Sequence, residues 1–174
     1  MPIAVLTGDI IGSTDHPPHE WLPELKKALG EWAHSPVDWE LFRGDSFQLA
    51  CAPDRVLDAF IRIKAHMLAY SPVSIRAGMG IGEVSYRDKQ LSASNGSAFV
   101  RSGRAFDGLK RQRIALITDD PERDALFAAT FPLISWLSDQ WKTVTAQIVC
   151  ESLRHPELSQ KDLAKRLGKT QGGI

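Results

Sequence analysis

Apolar and polar residues alternate along the chain in two rhythms, one of strands and one of helices. Residues 3–8, "IAVLTG", form a short apolar run closed by glycine, the pattern of a fully buried strand. A loop with two prolines follows. Trp21, Leu22, Leu25, Leu29 and Trp32 then fall on one helical stripe, with Pro23 early enough to be tolerated. "VDWELF" alternates as a strand, "RGD" is a tight turn and "SFQLACA" is a second strand, giving a hairpin with Gly44 and Asp45 at its tip. Pro53 opens a helix whose inner face carries Val56, Leu57, Phe60, Ile61, Met67 and Leu68, with Lys64 as the one polar interruption.

The next segment, "SIRAGMGIGEVS", predicts a strand with two unlike faces. Ile75, Ala77, Met79 and Ile81 make one; Arg76, Gly78, Gly80 and Gly82 make the other. A strand face without side chains implies either that another body comes close or that the strand bulges and curves. "AFVRSGRAFDGLKR" reads as a helix and "RIALIT" as the last strand. The resulting order, β-α-β-β-α-β-α-β, predicts an α+β fold of ferredoxin-like or palm type: a mixed sheet with helices packed on one side. Past "DDPERD" the strand signal ends. A long helical stretch follows, with Pro132 expected to break or kink it. A short helix then starts at the polar cap Ser159, buries Leu163, Ala164 and Leu167, and closes at Gly168. The boundary falls near residues 119–123, giving a palm-type domain over 1–119 and a helical region over 120–174.

Charge and cysteine content narrow the classes. Lys+Arg and Asp+Glu are both 21, so the formal net charge is zero. A nucleic-acid or membrane footprint spread over the whole molecule is therefore not expected. Cys51 and Cys150 stand in apolar surroundings with no metal-site spacing, as buried thiols in a reducing compartment. "MPIAVLTGDI" lacks a basic stretch and is too short in apolar residues for a signal peptide, and no run reaches the ~20 apolar residues of a membrane helix. A cytoplasmic protein with no membrane contact is expected.

Asp9 stands where the first strand ends, and Asp45 stands at the hairpin tip. In a palm-type sheet those strands are neighbours, so both carboxylates can point at one spot. With a backbone carbonyl such as that of Ile10, they make a hard-oxygen set suited to Mg²⁺ shared with substrate phosphates. The other reading is that each aspartate caps a turn. The histidines His16, His19, His34, His66 and His155 are scattered and fall outside the expected site. Ser13 and Thr14 belong to no Ser-His-Asp arrangement.

"TGDIIGST" resembles the opening motif of class III nucleotide cyclases. "LFRGDSFQL" is similar to their hairpin motif, "IRAGMGIGEV" to their Arg-x-Gly-x-x-x-Gly strand and "NGSAFVRSGRAF" to their Gly-x-x-x-Asn-x-x-x-Arg helix. The four fall in the family's order over residues 3–117. The chain also resembles SatD-like bacterial proteins in Gly-Asp-Ile-Ile-Gly-Ser, in Arg-Gly-Asp-x-Phe-Gln and in a C-terminal helical, DNA-binding-like segment. The resemblance implies metal ligands at Asp9 and Asp45 and a phosphate-stabilising guanidinium at Arg104; Arg101, by its spacing, either shares that helix face or is a surface charge. It also implies phosphate contacts from the backbone of Ile11, Gly12, Ser13 and Thr14, and a homodimer. Two positions depart from the cyclase pattern. Leu41 stands where a base-reading Lys is expected, and Val100 where an Asn orients the ribose; Val cannot donate that hydrogen bond. The implied protein is a regulator of transcriptional type whose cyclase-like domain binds a metal-nucleotide or phosphate ligand. An active Mg²⁺-dependent nucleotidyl cyclase, or a related phosphoryl-transfer enzyme, is the alternative.

In the tail, "LSQKDLAKRLGKTQGGI" resembles the first half of a helix-turn-helix. Lys161, Lys165, Arg166 and Lys169 give it the charge for DNA phosphates. An amphipathic helix packed on the domain or on a partner fits the same pattern.

Overall fold

Strand β1 (Ile3–Ile11) lies at the centre of the sheet because it is apolar on both faces. Antiparallel partners flank it on both sides: β3 (Ser46–Cys51) on one and β4 (Ser74–Gly82) on the other. β2 (Trp39–Phe42) hairpins onto β3, and β5 (Ile114–Ile117) runs parallel to β4. The order is β2-β3-β1-β4-β5, a mixed sheet whose first four strands have the ferredoxin-like arrangement. This computed structural model describes residues 1–33, 35 and 37–174; His34 lies outside the described residues. Among the described residues the protein is α+β, with five strands and six α-helices.

Alternation sorts the side chains to two faces. Ala4, Leu6, Phe47, Leu49, Ile75, Ala77 and Met79 point to the face covered by α1 (Leu22–Gly30) and α2 (Val56–Tyr70). There they meet Leu25, Leu29, Phe60 and Ile63 in the main core. The helices were expected on one side; α3 (Ser97–Asp107) instead covers the opposite face. The glycine face of β4 is the physical reason. A Cβ at Gly78 would lie 2.1 Å from the Phe106 backbone nitrogen, and one at Gly80 2.2 Å from that of Ser102. Backbone of α3 occupies the space that side chains would fill, so close approach, not a bulge, explains the glycines.

The connections β1–α1–β2 and β3–α2–β4 cross the same face and share one hand. The connection β4–α3–β5 moves in the same lateral direction as β3–α2–β4, between equally directed strands, but over the opposite face. Its hand is therefore reversed, against a rule followed by about 98% of such crossovers. The chain leaves β4 through residues 83–96, where the Ser92 amide bonds Glu40 of β2 beyond β3, and only then returns as α3.

The C-terminal helices are α4 (Pro121–Asp139), α5 (Thr143–Arg154) and α6 (Gln160–Arg166). Asp120 caps α4 by accepting from the amides of Glu122 and Arg123. The helix runs unbroken through Pro132, where a break or kink was expected; Ala128, whose carbonyl loses its partner there, is exposed to water. Phe131 enters the main core, with Phe127 and Ile134 packed against it. Lys64 is fully buried, and its ammonium donates to Asp139 Oδ1 at 2.6 Å. α5 packs on α2. Ser159 caps α6 and Gly168 (φ 63°) ends it, as expected. Beyond it lies a single 3₁₀ turn at Gln171–Gly173, in place of the start of a recognition helix. Among the described residues no helix is long and apolar enough to cross a membrane.

Candidate ligand-binding cleft

The sheet face under α3 is not fully covered. Between the hairpin and the C-terminal half of α3 lies a cleft of about 540 Å³, within the size range of small-ligand sites. Its walls are Phe42 and Arg43 of the hairpin and Gly103, Phe106 and Asp107 of α3; Thr7, Ser46 and Gln48 lie along the strands between them.

The chain conformation at the mouth is specific. Arg43 has φ 52° and Gly44 φ 88°, so the loop joining β2 to β3 turns through two left-handed residues. For Gly44 this is free; for Arg43 it costs on the order of 1 kcal/mol. Arg43 is exposed and makes no ion pair among the described residues. Gly103 breaks the usual preference for alanine in a helix. A Cβ there would meet nothing within 4 Å, so packing does not demand glycine; the cleft does benefit from the space.

Beside the cleft stand the two aspartates. Asp9 faces the α3 side opposite Arg76. The Arg76 guanidinium grips it with both arms, Nε to Oδ1 at 2.8 Å and Nη2 to Oδ2 at 2.7 Å. The hydrogen bond to Asp9 raises the pKa of Arg76, and Asp45 adds to the effect. The guanidinium also lies 5.5 Å from the centroid of the Phe106 ring, on the wall of the cleft. Asp45 sits in the hairpin loop, its carboxylate accepting from Ser13 Oγ at 2.6 Å and its carbonyl accepting from the Ile10 amide at 3.1 Å. None of the three lines the cleft; Arg76 meets its wall through the Phe106 ring.

This arrangement is not a ready cation site. Both oxygens of Asp9 are committed to Arg76, and one of Asp45 to Ser13. Among the described residues no group of three His, Cys, Asp or Glu side chains could hold a metal. Ile11 ends β1, and Gly12 (φ 89°) begins a turn in which the Asp15 amide bonds the Gly12 carbonyl. Ser13 and Thr14 lie in that turn and not at a helix N-terminus. Arg104 is exposed on α3 and does not line the cleft. Arg101 donates to the Ile81 carbonyl at 2.6 Å and serves packing. Leu41 faces the main core, away from the cleft, and Val100 is exposed.

Sequence reasoning missed Arg76 as the partner of Asp9, because their pairing depends on β4 lying beside β1. It also missed Phe42, Arg43, Gln48 and Phe106. Only Gly103, a glycine inside a helical pattern, carried a local signal.

In the tail, Lys161 and Lys165 are exposed and Lys169 is half-buried, while Arg166 spends its guanidinium on Glu151 at 2.7 Å. Glu151 also bonds Arg154, which reaches Glu31, just past α1, at 2.6 Å and His66 of α2 at 2.8 Å. Burial pushes the Cys51 thiol up to about 12 and the Cys150 thiol up to about 11, away from the thiolate form.

In comparisons with known proteins, no family model and no curated protein matches the chain.

Proposed function

We propose that the protein is a regulatory protein of transcriptional type whose palm-type domain binds a phosphorylated ligand of nucleotide class in the α3 cleft. The observation that carries this is the cleft itself: about 540 Å³, walled by two aromatic residues, with Arg43, unpaired among the described residues, at its mouth and Arg76, gripping Asp9, against Phe106 of its wall. Free and charge-assisted donors of this kind suit phosphate oxygens. The resemblance to class III cyclases over residues 3–117, and to SatD-like proteins, supports the same ligand class. Turnover is not part of the proposal, since Leu41 and Val100 replace the residues that would orient a nucleotide for cyclisation.

Mg²⁺ enters this proposal only with Arg76 displaced from Asp9. Calorimetric titration of ATP and GTP, with and without Mg²⁺, tests the reading on the wild-type chain and on Asp9→Ala. Binding in the micromolar range, weakened in the variant, is the expected result. No heat with either nucleotide under either condition would overturn it.

The tail contributes DNA contact through Lys161, Lys165 and Lys169 within this proposal. A second copy of the chain is proposed to cover the apolar face of α4, where Leu126, Leu133, Trp136 and Leu137 are all more than half exposed. Glu122 at one end of that helix and Lys142 just past the other are both without an ion-pair partner among the described residues, so an antiparallel pair of α4 helices would match them. Sedimentation should give a dimer that Trp136→Glu converts to monomer.

A further inference from the structure

The chain's zero net charge conceals a polarity along the sheet. β5 shows it directly. The segment that feeds this strand, "LKRQR" over 109–113, holds three cations and no acid; the segment that leaves it, "DDPERD" over 119–124, holds four acids and one cation. The strand registers show what else lies at the basic end. Ile114 pairs with Ala77, Arg76 with Asp9 and Asp9 with Ser46. The end of β1, the hairpin loop, the start of β4 and the 109–113 segment behind α3 are therefore gathered there. Two cations at this end are neutralised in place, Arg76 by Asp9 and Arg113 by Asp139. Four are not. Arg43 in the hairpin, Arg104 on the last turn of α3, and Lys110 and Arg111 in the loop after it are exposed, and among the described residues none makes an ion pair or a side-chain hydrogen bond. The acids there without an ion-pair partner among the described residues are Asp45, which accepts from Ser13, and Asp107. Unpaired like charges gathered at one end repel one another, a cost that an anionic partner removes.

The cleft opens among these cations. Arg43 stands on its hairpin wall, Arg104 adjoins Gly103 of its α3 wall, and Lys110 follows Asp107 of the same wall by three residues. Its lining includes Thr7, Ser46 and Ser92, hydroxyls in place of the aliphatic side chains that a lipid surface calls for. The exposed apolar stripe of α4 belongs to a helix whose Phe131 enters the core on the opposite face of the sheet. Cations spread over a hairpin, a helix end and a loop suit a backbone that bends through the opening between them, as a single strand does; a duplex calls for a helix or ribbon laid in its groove. We propose that this end of the sheet binds single-stranded nucleic acid, with Arg43, Arg104, Lys110 and Arg111 on its phosphates and one nucleotide of the strand in the α3 cleft. The place of that nucleotide rests on the nucleotide-class reading above; the backbone contact does not.

The test measures fluorescence anisotropy of a labelled mixed-sequence strand of about twelve nucleotides, within the span of known single-strand sites. It is run on the wild-type chain, on Lys110→Glu/Arg111→Glu and on the tail variant Lys161→Glu/Lys165→Glu. ATP and GTP are titrated alongside, and the duplex of the same sequence and phosphatidylserine vesicles are compared with the strand. Lys110 and Arg111 are exposed and unpaired among the described residues, so reversing them should leave the fold intact, which circular dichroism checks. The wild type should bind the strand at least about tenfold tighter than either nucleotide, with log K falling by roughly 3 per decade of salt, the slope of four phosphate contacts on a single strand. Lys110→Glu/Arg111→Glu should weaken the strand about tenfold and reduce that slope to about half. The tail variant should spare the strand. A strand that binds no tighter than a free nucleotide, or that ignores Lys110→Glu/Arg111→Glu, would overturn the backbone contact and leave the nucleotide reading standing. Strand binding that the double variant weakens, with no binding of free ATP or GTP, would overturn the nucleotide reading and leave the contact standing. Vesicles that bind where the strand does not would assign the surface to a membrane and overturn the proposal. Failure of strand and nucleotides alike would overturn both. Should the double variant fail to fold, Arg104→Gln supplies the same comparison, with the slope reduced by about 0.7.

Discussion

Three residues, two of them in the cleft wall, stand against their local preferences, and each predicts an outcome. Gly103 sits in mid-helix with free space around its missing side chain. Gly103→Ala should therefore raise stability by about 0.5–1 kcal/mol in urea unfolding while lowering ligand affinity. A structural role would give the opposite sign for stability. Arg43 holds a left-handed conformation that Asn tolerates better. Arg43→Asn should leave stability unchanged or raise it by up to about 1 kcal/mol, and weaken nucleotide binding by loss of a phosphate partner. Lys64 is buried against Asp139. Asp139→Ala should cost about 2–3 kcal/mol, less than for a fully buried pair because Asp139 is partly solvated, whereas Lys64→Met should be close to neutral. Lys64 had been visible in the sequence as a polar gap in an apolar stripe. Its partner could not be, because it lies 75 residues further on in an element packed through tertiary contact.

At the scale of elements, the hydrophobic pattern specified a great deal. Strand order along the chain, the hairpin with Gly44 and Asp45 in its loop, and the two faces of β4 all follow from alternation and turn chemistry. What alternation cannot say is which side of the sheet a helix takes. Glycines at 78, 80 and 82 announced that a body would approach, and left its identity open between a close neighbour and a bulge. The neighbour is α3, and its backbone is within 2.2 Å of where a Gly80 Cβ would stand. Gly80→Ala should lift α3 off β4, destabilise the fold by about 3 kcal/mol or more, and deform the cleft whose far wall α3 provides. Thermal melting measures the first effect, and titration of the nucleotide that binds wild type measures the second. The positions of Asp9 near the end of β1 and of Asp45 in the hairpin loop were legible. Arg76 between Asp9 and Phe106 was not, since strand neighbours and register are set by the assembled sheet.

Across the whole molecule, the palm-type part and the C-terminal helices are joined by a buried polar network as well as by Phe131. His66 is its centre. Arg154 can only donate, so it gives a proton to His66 Nδ1, and His66 Nε2–H donates to Glu24 at 2.7 Å. Burial holds the His66 pKa below its usual value; Arg154 from α5 pushes the same way, while Glu24 of α1 and Glu31 just past it oppose it. The neutral ring is therefore the folded form. The unfolded chain takes up a proton more readily, so the stability from this ring is fully present above the unfolded pKa of about 6.5 and is lost as pH falls toward the lower folded value. Urea midpoints should drop between pH 7.5 and pH 5, and His66→Gln should flatten that drop. A midpoint indifferent to pH in the wild type would contradict the assignment.

The position of β1 has a consequence for how the chain is made. It is the middle strand, apolar on both faces, and both of its edges are satisfied by strands that are synthesised later. Asp9 and its partner Arg76 are 67 residues apart. At ordinary translation rates that separation lasts on the order of several seconds. Throughout that interval β1 is a nine-residue sticky ribbon with two open edges. Slowed translation between residues 11 and 74 would lengthen that interval without changing one contact of the finished fold.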